Sequence, residues 1–68
     1  MRDPERIYGF CMELIDIWFK APDLRFNQLM QNFFSYLESK NKSPFYMEDD
    51  ETKTLLREYM DEVCKTYH

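Results

Sequence analysis

Residues 26–37 read FNQLMQNFFSYL. Phe26, Leu29, Met30, Phe33, Phe34 and Leu37 recur at i, i+3, i+4, i+7, i+8 and i+11. That spacing lines one face of an α-helix. The spacing predicts a helix over 25–39. Its outward face carries Asn27, Gln28, Gln31, Asn32 and Ser35, which are amides and a hydroxyl where a solvated helix face ordinarily carries charges. Such a face is either simply wet or a hydrogen-bonding surface for a partner.

Working toward the N-terminus, Pro22-Asp23-Leu24-Arg25 reads as a turn with a cap. Leu24 lies off the helical stripe, so it is expected to plug the core from the turn. Before it, Asp3 can cap, Pro4 suits a first helical position and Glu5 suits the positive end of the dipole. A helix is therefore predicted over 4–20, ending ahead of Pro22. On a wheel of roughly 100° per residue, Ile7, Phe10, Cys11, Leu14, Ile17 and Trp18 share one face. Tyr8, Met12, Ile15 and Phe19 widen it, leaving Gly9, Glu13, Asp16 and Lys20 as a polar strip. An ordinary surface helix needs an apolar stripe of only about 100°. Two arrangements satisfy the excess. Either this helix is the central one, covered by both neighbours, or part of its arc docks on another chain. The first is the expectation for a small bundle. Gly9 costs up to about 1 kcal/mol relative to Ala inside a helix, which a close helix crossing or a partner would explain.

Toward the C-terminus, residues 39–44, SKNKSP, read as a loop. Phe45, Tyr46 and Met47 follow Pro44 and are expected to be extended, over 44–48, folding back as a lid on the core. A third helix is predicted over 50–66, with Leu55, Leu56, Tyr59, Met60 and Val63 as its buried stripe and Lys65 near its negative end. No strand pattern appears. The expectation is one all-α domain, residues 1–68, a compact three-helix fold with an extended aromatic segment before the third helix.

The stretch most suggestive of chemistry is Glu48-Asp49-Asp50-Glu51. A calcium loop of the EF-hand type alternates its ligands around a central glycine, and this run does neither. A magnesium site relies on substrate phosphates held elsewhere, yet the only glycine is Gly9 and no phosphate loop exists. Carboxylates that work as an acid–base pair converge on one bond, whereas neighbours in sequence diverge. The helix-start reading fits instead, with Asp49 or Asp50 as the cap and the remaining acids in the first turn. Four acids exceed what a cap needs. A basic partner, or Arg2, Arg6 or Arg25 from elsewhere in the fold, would compensate.

Composition bounds the rest. Sixty-eight residues bury only about 60% of the surface the unfolded chain exposes, but six Phe, five Tyr and one Trp bring large apolar areas. Cys11 and Cys64 stand far apart and His68 is the one histidine. No zinc spacing results, and both thiols are expected to pack inside helices. No signal-peptide core and no membrane-length apolar run are present, so the expected location is the cytoplasm. The net charge of −4 opposes capture of nucleic acid through phosphates.

Three segments carry a resemblance. These are RDPERI (Arg2 to Ile7), Trp18 followed by PDLRFNQL (Pro22 to Leu29), and PFYMEDDE (Pro44 to Glu51). In them the chain resembles a family of short, mostly uncharacterised helical proteins of bacteria and phages. It departs from that pattern at Phe26 and Asn27, where the family has a smaller aliphatic residue and a glycine. The resemblance implies a compact all-helical fold and a bacterial or phage source, and brings no catalytic residues with it.

The expected function is a small acidic protein-interaction module with no enzymatic activity, cofactor or metal. By analogy with anti-CRISPR proteins, it would be a phage- or mobile-element-encoded modulator of a host or defence protein. The candidate contact residues are Tyr8, Met12, Ile15 and Phe19 on the first helix, Asn27, Gln28 and Gln31 on the second, and Glu48, Asp49, Asp50 and Glu51. The partner is another protein, or a second copy in a homodimer. A nucleic-acid reader using Arg25, Asn27, Gln28, Gln31 and Asn32 is the alternative.

Overall fold

A computed structural model describes residues 2–67, with side chains described for residues 2–63. Three α-helices follow one another, α1 (Arg6–Trp18), α2 (Phe26–Ser39) and α3 (Asp49–Tyr67), with a short 3-10 helix, Pro44–Tyr46, between the last two. The fold is all-α. The core is Ile17 of α1, Leu29, Phe33 and Leu37 of α2, and Leu56 and Met60 of α3. Leu14, Trp18, Ala21, Leu24, Met30, Tyr36, Met47, Leu55 and Tyr59 pack around it.

The central helix is α3, not α1 as the wide apolar arc suggested. Both α1 and α2 lie mainly against α3. Side-chain pairs fix the directions. Arg2 meets Glu48 at one end of α1, and Lys20 meets Asp61 at the other. Thus α1 and α3 run parallel, and α2, which joins the far end of α1 to the near end of α3 along the chain, runs opposite to both. Only Ile17 of α1 is fully buried. Phe10, Leu14 and Trp18 are half-buried, while Ile7 and Cys11 stand exposed. Cys11 is a free, exposed thiol rather than a packed one. Cys64 and the side chain of Lys65 lie outside the described side chains.

Both ends of α1 tighten into i→i−3 turns, so the helix proper is shorter than 4–20. At its start, an Asp3 carboxylate oxygen accepts the Glu5 N–H at 2.9 Å, and the Arg6 N–H reaches the Asp3 carbonyl. At its end, Lys20 and Ala21 donate to Ile17 and Trp18. The Trp18 indole N–H then donates to the Leu24 carbonyl at 2.8 Å, and its ring meets Phe26 at 5.7 Å. These contacts hold the turn so that Leu24 packs on the core, as its off-stripe position implied.

On α2, Leu29, Phe33 and Leu37 are buried and Met30 half-buried. Phe26 and Phe34, at the edge of the stripe, remain 46% and 47% exposed because no helix covers that side. The Gln28 side-chain oxygen Oε1 accepts the Arg25 backbone N–H at 2.8 Å and so caps the helix start. The Arg25 side chain has no acceptor with which to reciprocate. At the other end Asn41 takes φ 58°, with the Lys42 N–H on the Leu37 carbonyl and the Asn41 N–H on that of Glu38. This is a Schellman ending, in which the left-handed residue satisfies two orphan carbonyls.

The segment after Pro44 is not extended. Pro44 supplies a helical φ at a first helical position, and Tyr46 and Met47 donate to the Ser43 and Pro44 carbonyls. Phe45 and Tyr46 are 87% and 81% exposed and touch each other edge-on at 5.1 Å. Only Met47 reaches the core. The lid expected of three residues is therefore made by one.

The αL position gives a direct test. Asn41→Val should lower the free energy of urea unfolding by about 1–2 kcal/mol, the cost of a left-handed L-residue with a branched side chain. Asn41→Gly should leave it unchanged or raise it.

Candidate interaction surface

The acidic run does not cap α3 as expected. The Thr52 N–H bonds the Glu48 carbonyl at 3.0 Å, so the helix starts one residue earlier. Asp49, Asp50 and Glu51 then occupy the first turn, where the dipole favours them. Their carboxylates face cations of the same chain. Glu48 holds Arg2 at 2.9 Å, Asp49 holds Arg6, Glu51 holds Lys42 at 3.0 Å and Asp50 holds Lys53 at 3.3 Å. The surplus charge is therefore matched from within, by Arg2 and Arg6 but not by Arg25. These four candidates form an internal clasp at one end of the molecule, with Asp50 its most exposed member.

The clasp continues down the α1–α3 seam. Lys53 meets Glu13 at 3.2 Å, Arg57 meets Glu13 at 3.7 Å and Asp16 at 3.5 Å, and Lys20 meets Asp61 at 3.3 Å. Of the polar strip of α1, Glu13 is half-buried against α3, Asp16 and Lys20 pair with α3 at the exposed rim, and Gly9 remains exposed. Glu13 and Asp50 hold the ammonium of Lys53, chiefly through their hydrogen bonds, so its pKa lies above the ordinary lysine value. The stabilisation this brings is complete below the unfolded lysine pKa and is lost as pH rises through the raised folded value. Exposed pairs of this kind are screened by solvent and each adds little to stability. Burying a large aliphatic side chain such as Ile17 is worth about 1.5–3 kcal/mol. The ladder therefore sets the parallel register, and the core supplies the larger share of the stability.

With Glu13, Ile17, Phe10 and Leu14 turned inward, the opposite side of α1 has no helix packed on it among the described residues. Tyr8, Met12, Ile15 and Phe19 lie there, at i, i+4, i+7 and i+11, and are 72%, 67%, 50% and 74% exposed. This is the seam spacing of a helix that packs on another helix. Its far end opens into an apolar hollow of about 200 Å3 lined by Ile15, Trp18, Phe19 and Pro22. A second apolar opening, of about 360 Å3, lies between α1 and α2. It is walled by Phe10 and Leu14 on one side and Phe26, Met30 and Phe34 on the other, with Phe45 at its mouth. That opening follows from α1 and α2 both leaning on α3 instead of on each other.

The amide face of α2 is exposed throughout. Gln28 is taken up by the Arg25 cap, so of the three candidates there Asn27 and Gln31 remain outward-facing. Among the described residues no group of three or more His, Cys, Asp or Glu side chains is placed to hold a metal ion, and no helix is long and apolar enough to cross a membrane. Compared with protein-family models, curated proteins and solved structures, the chain gives no significant match.

Gly9 sits in this outer region, exposed, and a Cβ built on it would meet nothing within 4 Å. No helix crossing among the described residues explains it. Gly9→Ala should therefore raise unfolding stability by up to about 1 kcal/mol, read as a higher urea midpoint with an unchanged slope. A loss of stability would show that the glycine serves the fold.

Proposed function

We propose that this chain is a small acidic protein-interaction module that binds another protein through the outer face of α1. The observation that carries the reading is the uncovered seam of Tyr8, Met12, Ile15 and Phe19 on a helix whose other side is already packed. At roughly 150–250 Å2 per aromatic side chain, the exposed parts of Tyr8 and Phe19 alone come to about 300 Å2. With Met12 and Ile15 the patch is on the order of 500 Å2, near the top of what a typical monomer exposes in one piece. On a chain with 5503 Å2 of surface, that is roughly a tenth. The resemblance to short helical proteins of bacteria and phages makes a host or defence protein the candidate target, which such a module would block or modulate.

The nucleic-acid alternative gains no support. Arg2, Arg6, Lys20, Lys42, Lys53 and Arg57 are all engaged with acids of the same chain. That leaves few cations to neutralise phosphates beside the amide face of α2.

A photo-activated cross-linking residue at Met12, compared with one at Ser35 on the amide face, tests the reading in a bacterial lysate. The expected result is one discrete protein adduct at position 12 that disappears when Phe19→Ser is added, and none at position 35. Adducts of equal yield at both positions, or none at either, would overturn it.

A further inference from the structure

Apart from the α1 seam, we infer that the side on which α1 and α2 part is the interface of a two-fold homodimer, with Phe45 of each copy entering the apolar opening of the other. Three observations select a second copy as the occupant. The first is shape. An apolar cavity of about 150 Å3 takes a benzene ring, and this opening has about 360 Å3. Phe45 stands at its mouth without filling it. Pro44 and the bonds of the Tyr46 and Met47 N–H groups to the Ser43 and Pro44 carbonyls fix that turn, and Phe45 is left 87% exposed. One face thus carries an aromatic projection and a hollow that accepts an aromatic ring. A two-fold interface joins a patch to itself, so two copies exchange rings across it. An unrelated partner would have to bring a projection and a hollow of its own in the same placement.

The second is charge. From Phe26 to Ser35 α2 has no charged side chain, and from Ile7 to Ile15 α1 has only Glu13, which is turned to Lys53 of α3. On the wheel, Asn27 and Gln31 border the opening on α2, and Ile7 and Cys11 border it on α1. Glu38, one turn beyond Phe34, stands at the rim. A chain of net charge −4 is repelled by its own copy wherever acids meet acids. Across this face two copies meet through apolar and neutral side chains.

The third is area. At roughly 150–250 Å2 per aromatic side chain, the exposed parts of Phe45, Tyr46, Phe26 and Phe34 come to about 500 Å2. Ile7, Phe10 and Met30 bring the face to about 600 Å2 by the same reckoning. Two copies then bury about 1,200 Å2 in total, where specific interfaces begin.

A small apolar ligand suits the opening less well. Ligand sites add placed polar groups to an apolar lining. Here Thr52 brings the one hydroxyl of the lining, and it already donates to the Glu48 carbonyl at 3.2 Å. Such a ligand would also leave Phe45 and Tyr46 uncovered. In the dimer, Tyr8, Met12 and Phe19 lie on the other side of α1 and stay free. Each dimer therefore carries two seams, and failure of the dimer and failure of the seam are separate results.

Sedimentation equilibrium of the whole chain between about 1 μM and about 1 mM tests the dimer. The mass should rise from the 8.5 kDa of one chain to twice that value and go no further. Phe45→Ser alters a residue that is exposed in the single chain, so the variant folds. It should weaken association at least about tenfold, as loss of an interface anchor does. Phe34→Asp should abolish association, because it buries a charge of the same sign on each copy. Phe19→Ser, on the seam, should leave the dimer unchanged. The urea midpoint of the wild type should rise with protein concentration, as that of an associating chain does, and the midpoint of Phe45→Ser should not.

A wild type that keeps the mass of one chain throughout would overturn the inference. So would a dimer that Phe45→Ser leaves intact, a dimer lost with Phe19→Ser, or growth beyond two copies. A urea midpoint lowered by Phe45→Ser at the lowest concentration, where both proteins are single chains, would show that the ring closes its own opening and would overturn it as well.

Discussion

Leu56 and Met60 of α3 form the surface on which both other helices depend. They join Ile17 of α1 to Leu29, Phe33 and Leu37 of α2 in one cluster. A chain of this size can bury few side chains, and among the described residues three of the six buried places fall to α2, two to α3 and one to α1. With burial worth about 1.5–3 kcal/mol per large aliphatic side chain, α1 is held by the smallest hydrophobic share. Its orientation comes instead from the line of ion pairs that begins at Arg2 and Glu48 and ends at Lys20 and Asp61. Those pairs occupy one flank of α1, Phe10, Leu14 and Ile17 occupy the next, and the side bearing Tyr8, Met12, Ile15 and Phe19 is left over. The interaction face is thus a consequence of how the core is divided.

Much of this was legible before any coordinates. The period of FNQLMQNFFSYL places Leu29, Phe33 and Leu37 inward, because a 3.6-residue repeat has only one solution. Leu24 stands off the stripe and caps the core from the turn. The excess apolar arc of α1 marks Tyr8, Met12, Ile15 and Phe19, and these are the side chains left uncovered. The arc did not reveal which part of it would find a neighbour. Periodicity measures how wide an apolar face is and says nothing of which helix comes to lie against it, so the central place went to α1 in the reading and to α3 in the structure.

Features that depend on tertiary register were hidden for the same reason. Glu13, Asp16 and Lys20 look like a solvated strip until α3 is laid parallel to α1, when Lys53, Arg57 and Asp61 fall opposite them. Asp49 and Glu48 look like a cap or a ligand set until Arg6 and Arg2 arrive from far away in sequence. Two local features could have been found. Asn41 follows α2 at the place where a left-handed residue ends a helix. Pro44 restrains the residue before it more than those after it, so Phe45 and Tyr46 were free to turn.

The central claim is that α1 carries two separable faces, one for the fold and one for a partner. Urea unfolding of the triple variant Tyr8→Gln/Met12→Gln/Phe19→Gln beside Ile17→Ala tests it most directly. The triple variant should stay within about 1 kcal/mol of the wild type, as exposed substitutions do. Ile17→Ala should lose about 2–5 kcal/mol, as a truncated core residue does. A triple variant that loses as much as Ile17→Ala would mean that the outer face is holding the fold together, and the account would be wrong.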